Sequence, residues 1–546
     1  MMAIEGLQSA INQWQVILGD SRVVIGAAAG QLYGPNTIAT AKTIPAALLI
    51  NSQSEVISCV NVARECRVPI YPVSTGKNWG YGSSNPVSDG CVIMDLSAMN
   101  RVLDFDPLSG VVTVEPGVTQ GQLRDYLDAG GHEFLVPVTG AGPSCSLLGN
   151  ALERGYGITP IADHFLALTS LRAVLADGSL YQSPLSTLGG VQVDRAFKWG
   201  IGPYLDGLFS QGSFGVVTEV SLILARRPVA VEAFFFAAKN DADLEQLVSC
   251  VQQCNAELGA NLGSINLLNN RRMLSMVESY PETSVAEGDI LSDDQVDSLS
   301  RKNGISPWTG TGALYGHPKI IKAAKALLKK KLKPHVARFI FVNDRRIALL
   351  VGLLKFTPQG ARVRLQVVIR TLRNTLDILK GIPNEMALPL AYWRSGGPER
   401  VVGELNPARD NCGLIWYAPL VPMTSDQVRK FVIIVGDICP RYGIEPLITL
   451  TSLSDRCFDC TIPLLYDGEN ELRGTQAKAC YAALVDAGMK EGFVPYRLNV
   501  DAMASMGVNL GNNWQLISDI KSVLDPLGLI APGRYSPLDA DKTLEP

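Results

Sequence analysis

Ser74-Thr75-Gly76-Lys77-Asn78-Trp79-Gly80-Tyr81-Gly82 follows the apolar run Ile70-Tyr71-Pro72-Val73. A glycine-rich loop at a strand end presents successive backbone N–H groups, an arrangement that cradles a pyrophosphate. Glycine is needed where the backbone approaches a ligand or takes positive φ. The loop is not one of the common phosphate motifs. No Gly-x-Gly-x-x-Gly joins a first strand to a helix, and no Gly-x-x-x-x-Gly-Lys-Ser/Thr is present. A tight loop without a ligand would look the same, so the rest of the chain has to decide.

Three further segments favour a ligand. Residues 140–157 read GAGPSCSLLGNALERGYG, a second glycine-rich stretch. Residues 202–218 read GPYLDGLFSQGSFGVVT, where small residues run into a strand pattern. Residues 531–534 read Ala-Pro-Gly-Arg. Phosphate-cradling loops, aromatic stacking surface and a late arginine fit an extended dinucleotide such as FAD.

Around these loops the first 230 residues are an α+β region. Residues 68–74 (VPIYPVS), 90–96 (GCVIMDL) and 110–117 (GVVTVEPG) are predicted strands, and 55–66 (EVISCVNVAREC) has helical apolar spacing. From about residue 231 the texture changes. A polar stretch (292–304, SDDQVDSLSRKNG) precedes a lysine-rich helix (317–334, HPKIIKAAKALLKKKLKP). The helix carries an apolar stripe of Ile320, Ile321, Ala324, Leu327 and Leu328, and Pro334 stops it. Its lysines read as a solvated face. The turn-rich residues 525–537 (DPLGLIAPGRYSP) return to the first texture.

At 546 residues the chain exceeds one ordinary core, so two or more domains are expected. Apolar residues are 47% and charged residues 18%, a globular balance. A net charge of −4 argues against a nucleic-acid or anionic-membrane binder. The first twenty residues lack a basic stretch and a long apolar run, so they read as a surface helix rather than a signal peptide. No apolar run reaches membrane-spanning length, and the final Lys-Thr-Leu-Glu-Pro matches no targeting signal. Eleven cysteines, an odd count, read as reduced thiols of a cytoplasmic protein. Cys250/Cys254 and Cys457/Cys460 each resemble half a metal site, but neither has a second half, so no metal is expected.

The segments STGKNWGYG (74–82), VTVEPGVT (112–119), GNALERGYGITPIADHF (149–165), KWGIGPYLDGLFSQGSFGVVTEV (198–220), GALYG (312–316), PYRLN (495–499) and DPLGLIAPGR (525–534) carry a resemblance to a known family. In this order they resemble the vanillyl-alcohol oxidase and p-cresol methylhydroxylase (PCMH) family of flavoproteins, over nearly the whole chain. The resemblance implies an α+β fold in two domains. A PCMH-type FAD-binding domain comes from residues 1–230, and 491–546 return to it. An inserted cap or substrate domain, residues 231–490, is built on an antiparallel sheet. The implied cofactor contacts are Ser74, Thr75, Gly76, Lys77, Asn78, Trp79 and Gly80 in the first loop. In the second they are Thr139, Gly140, Gly142, Gly149, Asn150, Arg154, Gly155 and Gly157. Gly215, Val216 and Val217 follow, and Arg534 is matched to the residue that offsets negative charge on the reduced flavin.

Family members hold their substrate as a phenolate with two tyrosines and an arginine, matched here by Tyr81, Tyr496 and Arg497. A guanidinium stays charged, and two phenolic donors complete a small anion hole. A phenolate drives hydride from the carbon attached at its para position to flavin N5, giving a quinone methide that adds water or loses a proton. The implied substrate is a 4-alkylphenol or 4-hydroxybenzyl alcohol. Oxygen or a redox protein is the electron acceptor, and relatives are homodimers or larger assemblies.

The chain also departs from the family. Leu414 and Asn406 stand where relatives carry the histidine or tyrosine that tethers flavin, so noncovalent FAD is expected. Ala141 stands where many relatives place an acid or small residue beside flavin N5. Gly157-Ile158-Thr159-Pro160-Ile161 loses an aromatic wall, and Asp459-Cys460 replaces a paired histidine. His164 is retained, as a hydrogen-bonded structural group or a base. Three readings follow: a phenol oxidase or dehydrogenase, a same-fold enzyme for a nonphenolic alcohol or hydroxy acid, and an inactive FAD-binding scaffold.

Overall fold

Strand Ile70–Val73 forms because a β-branched, aromatic run sits between an arginine in left-handed backbone (Arg67, φ 55°) and the glycine-rich loop. It is the edge of a four-stranded sheet ordered Val23–Ile25, Ala46–Leu49, Val92–Asp95, Ile70–Val73. The last three strands are parallel and the first is antiparallel to its neighbour. Parallel neighbours need a crossover, which helix Gln53–Cys66 supplies. Ser52 caps that helix by accepting from Glu55 N. The N-terminal helix Met2–Leu18 packs on it, with Trp14 donating to the Cys59 carbonyl at 3.1 Å.

The computed structural model describes residues 2–190, 192–281, 285, 289–395 and 405–538. The terminal Lys-Thr-Leu-Glu-Pro lies outside them. A second sheet of five antiparallel strands is ordered Val102–Asp106, Val111–Val114, Val216–Ile223, Leu168–Val174, Leu180–Gln182. The fold is α+β, and a large antiparallel sheet covers the rest. Its strands run Val336–Val342, Ala230–Ala238, Trp308–Gly316, Asn266–Asn269, Thr449–Ser452, Cys457–Asp467, Cys412–Tyr417, with Leu420–Pro422 also pairing to Cys457–Asp467. Helices Leu244–Leu258, Pro318–Leu332, Ser425–Ile438 and Glu471–Lys490 pack against it and one another. Phe236 and Phe234 fill the space above their cross-strand partners Gly310 and Gly312, where a Cβ would collide with the rings.

One helical reading changes, and one polar stretch gains a structure. The polar stretch 292–304 is a helix, Asp293–Asn303, started by a capping box between Ser292 and Gln295. In the lysine-rich helix, Pro318–Leu332, the buried stripe is Ile321, Ala324, Leu328 and Leu332, while Ile320 is 46% exposed. Ile321, Ala324 and Leu328 face inward as expected, and Leu332 rather than Ile320 completes the inner face. Lys325 and Lys331 are paired, to Glu232 and Glu257. Cys250 and Cys254 are core packing, and among the described residues no group of three potential metal ligands converges. No helix among the described residues is long and apolar enough to cross a membrane.

Candidate active site

The loop after strand Ile70–Val73 closes on itself. The Asn78 carbonyl accepts from Tyr81 N at 3.1 Å and Ser83 N at 2.9 Å. Gly80 sits at φ +78°, and a Cβ there would strike the Trp416 indole of the large sheet. Trp416 N donates to the Gly80 carbonyl at 3.2 Å, so the loop and that sheet meet backbone to backbone. The second glycine stretch docks through Gly149, where a Cβ would lie 2.5 Å from Ser74 Oγ. Ser146 caps helix Leu147–Leu152 by accepting from Gly149 N, and its own N donates to Thr75 Oγ1. The C-terminal segment runs along Ile70, with Ala531 N donating to its carbonyl at 2.8 Å. That brings Arg534 to Tyr71, whose hydroxyl accepts from Nη1 at 2.6 Å.

These elements enclose a cavity of about 510 Å³, inside the roughly 300–1,000 Å³ of small-molecule and cofactor sites. Ser74, Thr75, Gly76, Lys77, Asn78, Trp79, Thr139, Gly140, Gly149, Asn150, Gly155, Gly215, Val217 and Arg534 line it. So do Tyr81, Tyr496 and Arg497. Gly80, Gly142, Arg154, Gly157 and Val216 do not. Gly80 faces Trp416, and Arg154 turns away to donate to Ser210 Oγ at 2.9 Å. Gly157 lies against the Val138 carbonyl and the His164 ring, and Val216 points into the core by strand alternation. A second cavity, of about 550 Å³ beside helix Glu471–Lys490, is lined by none of the glycine loops.

Tyr81, Tyr496 and Arg497 meet although 415 residues separate the first two. The Arg497 guanidinium stacks on the Tyr81 ring, 4.2 Å from its centroid, and donates to Asn78 Oδ1. Burial pushes both tyrosine hydroxyls up, so they stay protonated donors at neutral pH. Tyr156 packs edge-on to Tyr496 with centroids 5.4 Å apart.

Glu153 is the residue sequence reasoning missed. Its carboxylate lies 3.2 Å from Arg497 Nε, off line for a hydrogen bond, and forms an ion pair with Arg534 through the other oxygen. One acid therefore positions both arginines. It lies inside the quoted GNALERGYG stretch, but no spacing rule separates it from a surface glutamate.

Asp459 is the second acid of the cavity. Strand Cys457–Asp467 places it level with Thr451 and, one strand further, Asn266. Residues opposite in an antiparallel ladder share a face, and here that face lines the cavity with Asn266, Asp459 and Thr461. Burial raises the Asp459 carboxyl to about 7 while Arg497 opposes the rise, and its Oδ1 has no described partner. His164 lies outside the cavity lining. It bonds Asn150 through Nδ1, and burial lowers it to about 4, so it is a neutral group that orients Asn150. Leu414, Pro407 and Ala141 line the cavity and Asn406 does not. Cys145 is the one free cysteine in the lining, and burial raises its thiol, which disfavours the nucleophilic thiolate.

The fold implies FAD, and the residues present fit it. Two loops approach too closely to admit a Cβ, Lys77 supplies charge, and the Trp79 indole N–H is a buried donor with no described protein partner.

Residues 44–183 match the FAD binding domain family. Over 535 residues, 98% of each chain, the sequence is 34% identical to the 1'-carboxy-chondrochloren decarboxylase of Chondromyces crocatus. It is 26% identical to the 4-cresol dehydrogenase flavoprotein subunit of Pseudomonas putida, covering 96% of this chain and 94% of that one. Among solved structures, p-cresol methylhydroxylase with substrate bound matches with a TM-score of 0.85 at 24% identity, covering 97% of both chains.

Proposed function

The chain belongs to the PCMH-type family of FAD-dependent oxidoreductases, and from that premise we propose that it oxidises a para-substituted phenol of the 4-alkylphenol or 4-hydroxybenzyl alcohol type. The observation that carries this reading is the meeting of Tyr81, Tyr496 and Arg497 in one cavity. FAD, held by the loops 74–79, 139–140 and 149–150 and by Gly215, Val217 and Arg534, would supply a hydride acceptor at N5.

The chain's own groups manage charge and protons. Tyr81 and Tyr496 donate hydrogen bonds to the substrate oxygen, and Arg497 supplies positive charge. Asp459, with a carboxyl near 7, takes the phenolic proton and becomes neutral, so two anions never face each other. With FAD bound, hydride would leave the substituent carbon attached at the para position, and the phenolate becomes a quinone methide. Water addition gives an alcohol, and proton loss gives an alkene or aldehyde. With Leu414 and Asn406 at the two attachment positions, the cofactor is bound noncovalently.

The 34% identity to a decarboxylase favours a second reading. If the carbon next to the oxidised one carries a carboxylate, that group leaves as carbon dioxide. The electron pair of the broken C–C bond forms the new C=C and restores the phenolate. The net change is a two-electron oxidation with loss of carbon dioxide.

Anaerobic titration of the holoenzyme with 4-alkylphenols, 4-hydroxybenzyl alcohols and 2-hydroxy acids tests the proposal. A phenol is expected to bleach the flavin, and product analysis with carbon dioxide trapping separates the two fates. Bleaching by hydroxy acids alone would contradict it.

A further inference from the structure

The large sheet contributes a cation to the cavity that the phenol chemistry does not use. Strand Asn266–Asn269 runs directly into helix Asn270–Val277, with Asn269 as the cap accepting from Arg272 N at 2.9 Å. Two adjacent arginines then part. Arg271 enters the core and pairs with Glu445 at 2.5 Å and Asp293 at 2.8 Å. Arg272 lines the cavity instead. Its Nη1 donates to Ser275 Oγ at 3.1 Å, and among the described residues no carboxylate lies within ion-pair distance of it. Burial alone draws its pKa down to about 10, the mark of a cation held from bulk water without a counter-charge. Its side chain still keeps accessible surface, and the cavity is what it faces.

The charges around the cavity do not cancel. Lys77, Arg272, Arg497 and Arg534 face it, against Glu153 and Asp459. Glu153 is shared between Arg497 and Arg534. Lys77 belongs to the glycine loop at the end of strand Ile70–Val73. Arg272 comes from the other side, on the large sheet's own strand-to-helix junction. A desolvated guanidinium with no acid beside it is costly unless an anion joins it.

Asn266, on the same junction, is the second observation. It also lines the cavity, its Oδ1 is buried without a described partner, and among the described residues no hydrogen bond occupies its Nδ2, the donor from which a carboxylate accepts. Through Thr451 it lies two strands from Asp459, about 10 Å at the spacing of paired strands. The phenolate groups beside Asp459 and the pair Asn266/Arg272 thus mark two polar ends of one chamber.

We propose that Arg272, assisted by Asn266, binds a carboxylate on the para substituent of the substrate, so that the enzyme takes a (4-hydroxyphenyl)alkanoate in preference to a neutral alkylphenol. The planar guanidinium fork matches a carboxylate with two parallel N–H···O bonds. A side chain of two or three carbons bridges the two ends. The pair acts in binding, before either fate of the oxidised product. This inference rests on the phenol reading for the other end of the chamber.

The test separates the two. Perturbation of the flavin absorbance of the holoenzyme reports binding of 3-phenylpropanoate and of its neutral counterpart 3-phenylpropanol, neither of which has a phenol. The wild type is expected to bind the acid at least tenfold more tightly than the alcohol. Arg272→Met should bind the two alike while keeping its FAD, and Arg272→Lys should recover part of the preference. Equal binding by the wild type would overturn the proposal. So would equal weakening of both ligands in Arg272→Met, or loss of FAD from it, which would assign Arg272 to the cofactor. If the acid preference holds but no phenol bleaches the flavin, the phenol reading falls and the anion site stands.

Discussion

Replacing Arg497 with methionine perturbs the proposed chemistry more than the fold. Arg497 has three described partners: the Tyr81 ring at 4.2 Å, Asn78 Oδ1, and Glu153 at 3.2 Å. Glu153 keeps its pair with Arg534 after the change, so no buried carboxylate is stranded, and the loss should fall below the about 3–5 kcal/mol of a broken buried pair. At the site the loss is larger. Removing one preorganised oxyanion donor costs about 2.7–4 kcal/mol, or a hundredfold to a thousandfold in rate. A second effect shares the same cause. Arg497 is the group that holds the Asp459 carboxyl down against burial, so without it the carboxyl moves above about 7. Anaerobic stopped-flow reduction of the flavin, followed from mildly acid to mildly alkaline pH, measures both. The expected result is slower reduction by about two orders of magnitude or more, an inflection shifted to higher pH, and retained FAD. Reduction at the wild-type rate with an unmoved inflection would remove Arg497 from the site's chemistry, and loss of flavin would assign it to the cofactor instead.

Tyr81→Phe and Tyr496→Phe should each slow reduction by about tenfold, the worth of one hydrogen bond to a charged group. The double variant should be non-additive, because both donors serve one oxygen. Asp459→Asn should abolish the inflection near pH 7 in the wild-type reduction profile. It should also change stability. The folded carboxyl is raised from the ordinary aspartate range to about 7, so its contribution is fully present below about pH 4 and is lost as pH rises through 7. Denaturation of both holoproteins should therefore show the variant gaining on the wild type across that window, by on the order of 4 kcal/mol, with no further gain above it. Acid precipitation should leave yellow FAD in the supernatant, and flavin fluorescence on the protein band of a denaturing gel would contradict noncovalent binding.

The glycine loops were legible because their requirement is local. A backbone that must approach Trp416 or Ser74 admits no Cβ, and that constraint is written in the residue itself. Tyr81, Tyr496 and Arg497 were legible through family motifs, although nothing in their spacing brings them together. Glu153 was not, because its role depends on two arginines that arrive from far along the chain. Asp459 was visible as a departure from the family, but its raised carboxyl comes from burial under other segments. Arg272 was hidden for the opposite reason. It stands beside Arg271 in one helical turn, and only the packing sends one into the core and the other to the cavity. The helix at 293–303 is a plainer case, since its Ser292–Gln295 capping box was present in the sequence.

A substrate held as a phenolate separates 4-ethylphenol from 4-ethylanisole, the same molecule methylated on oxygen. Each is mixed anaerobically with the holoenzyme, and the flavin absorbance is followed. Bleaching is expected from the phenol and none from the ether, because a methylated oxygen leaves Arg497 nothing to stabilise and Asp459 no proton to take. Reduction by the ether as fast as by the phenol would contradict it, and would move the enzyme to nonphenolic oxidation.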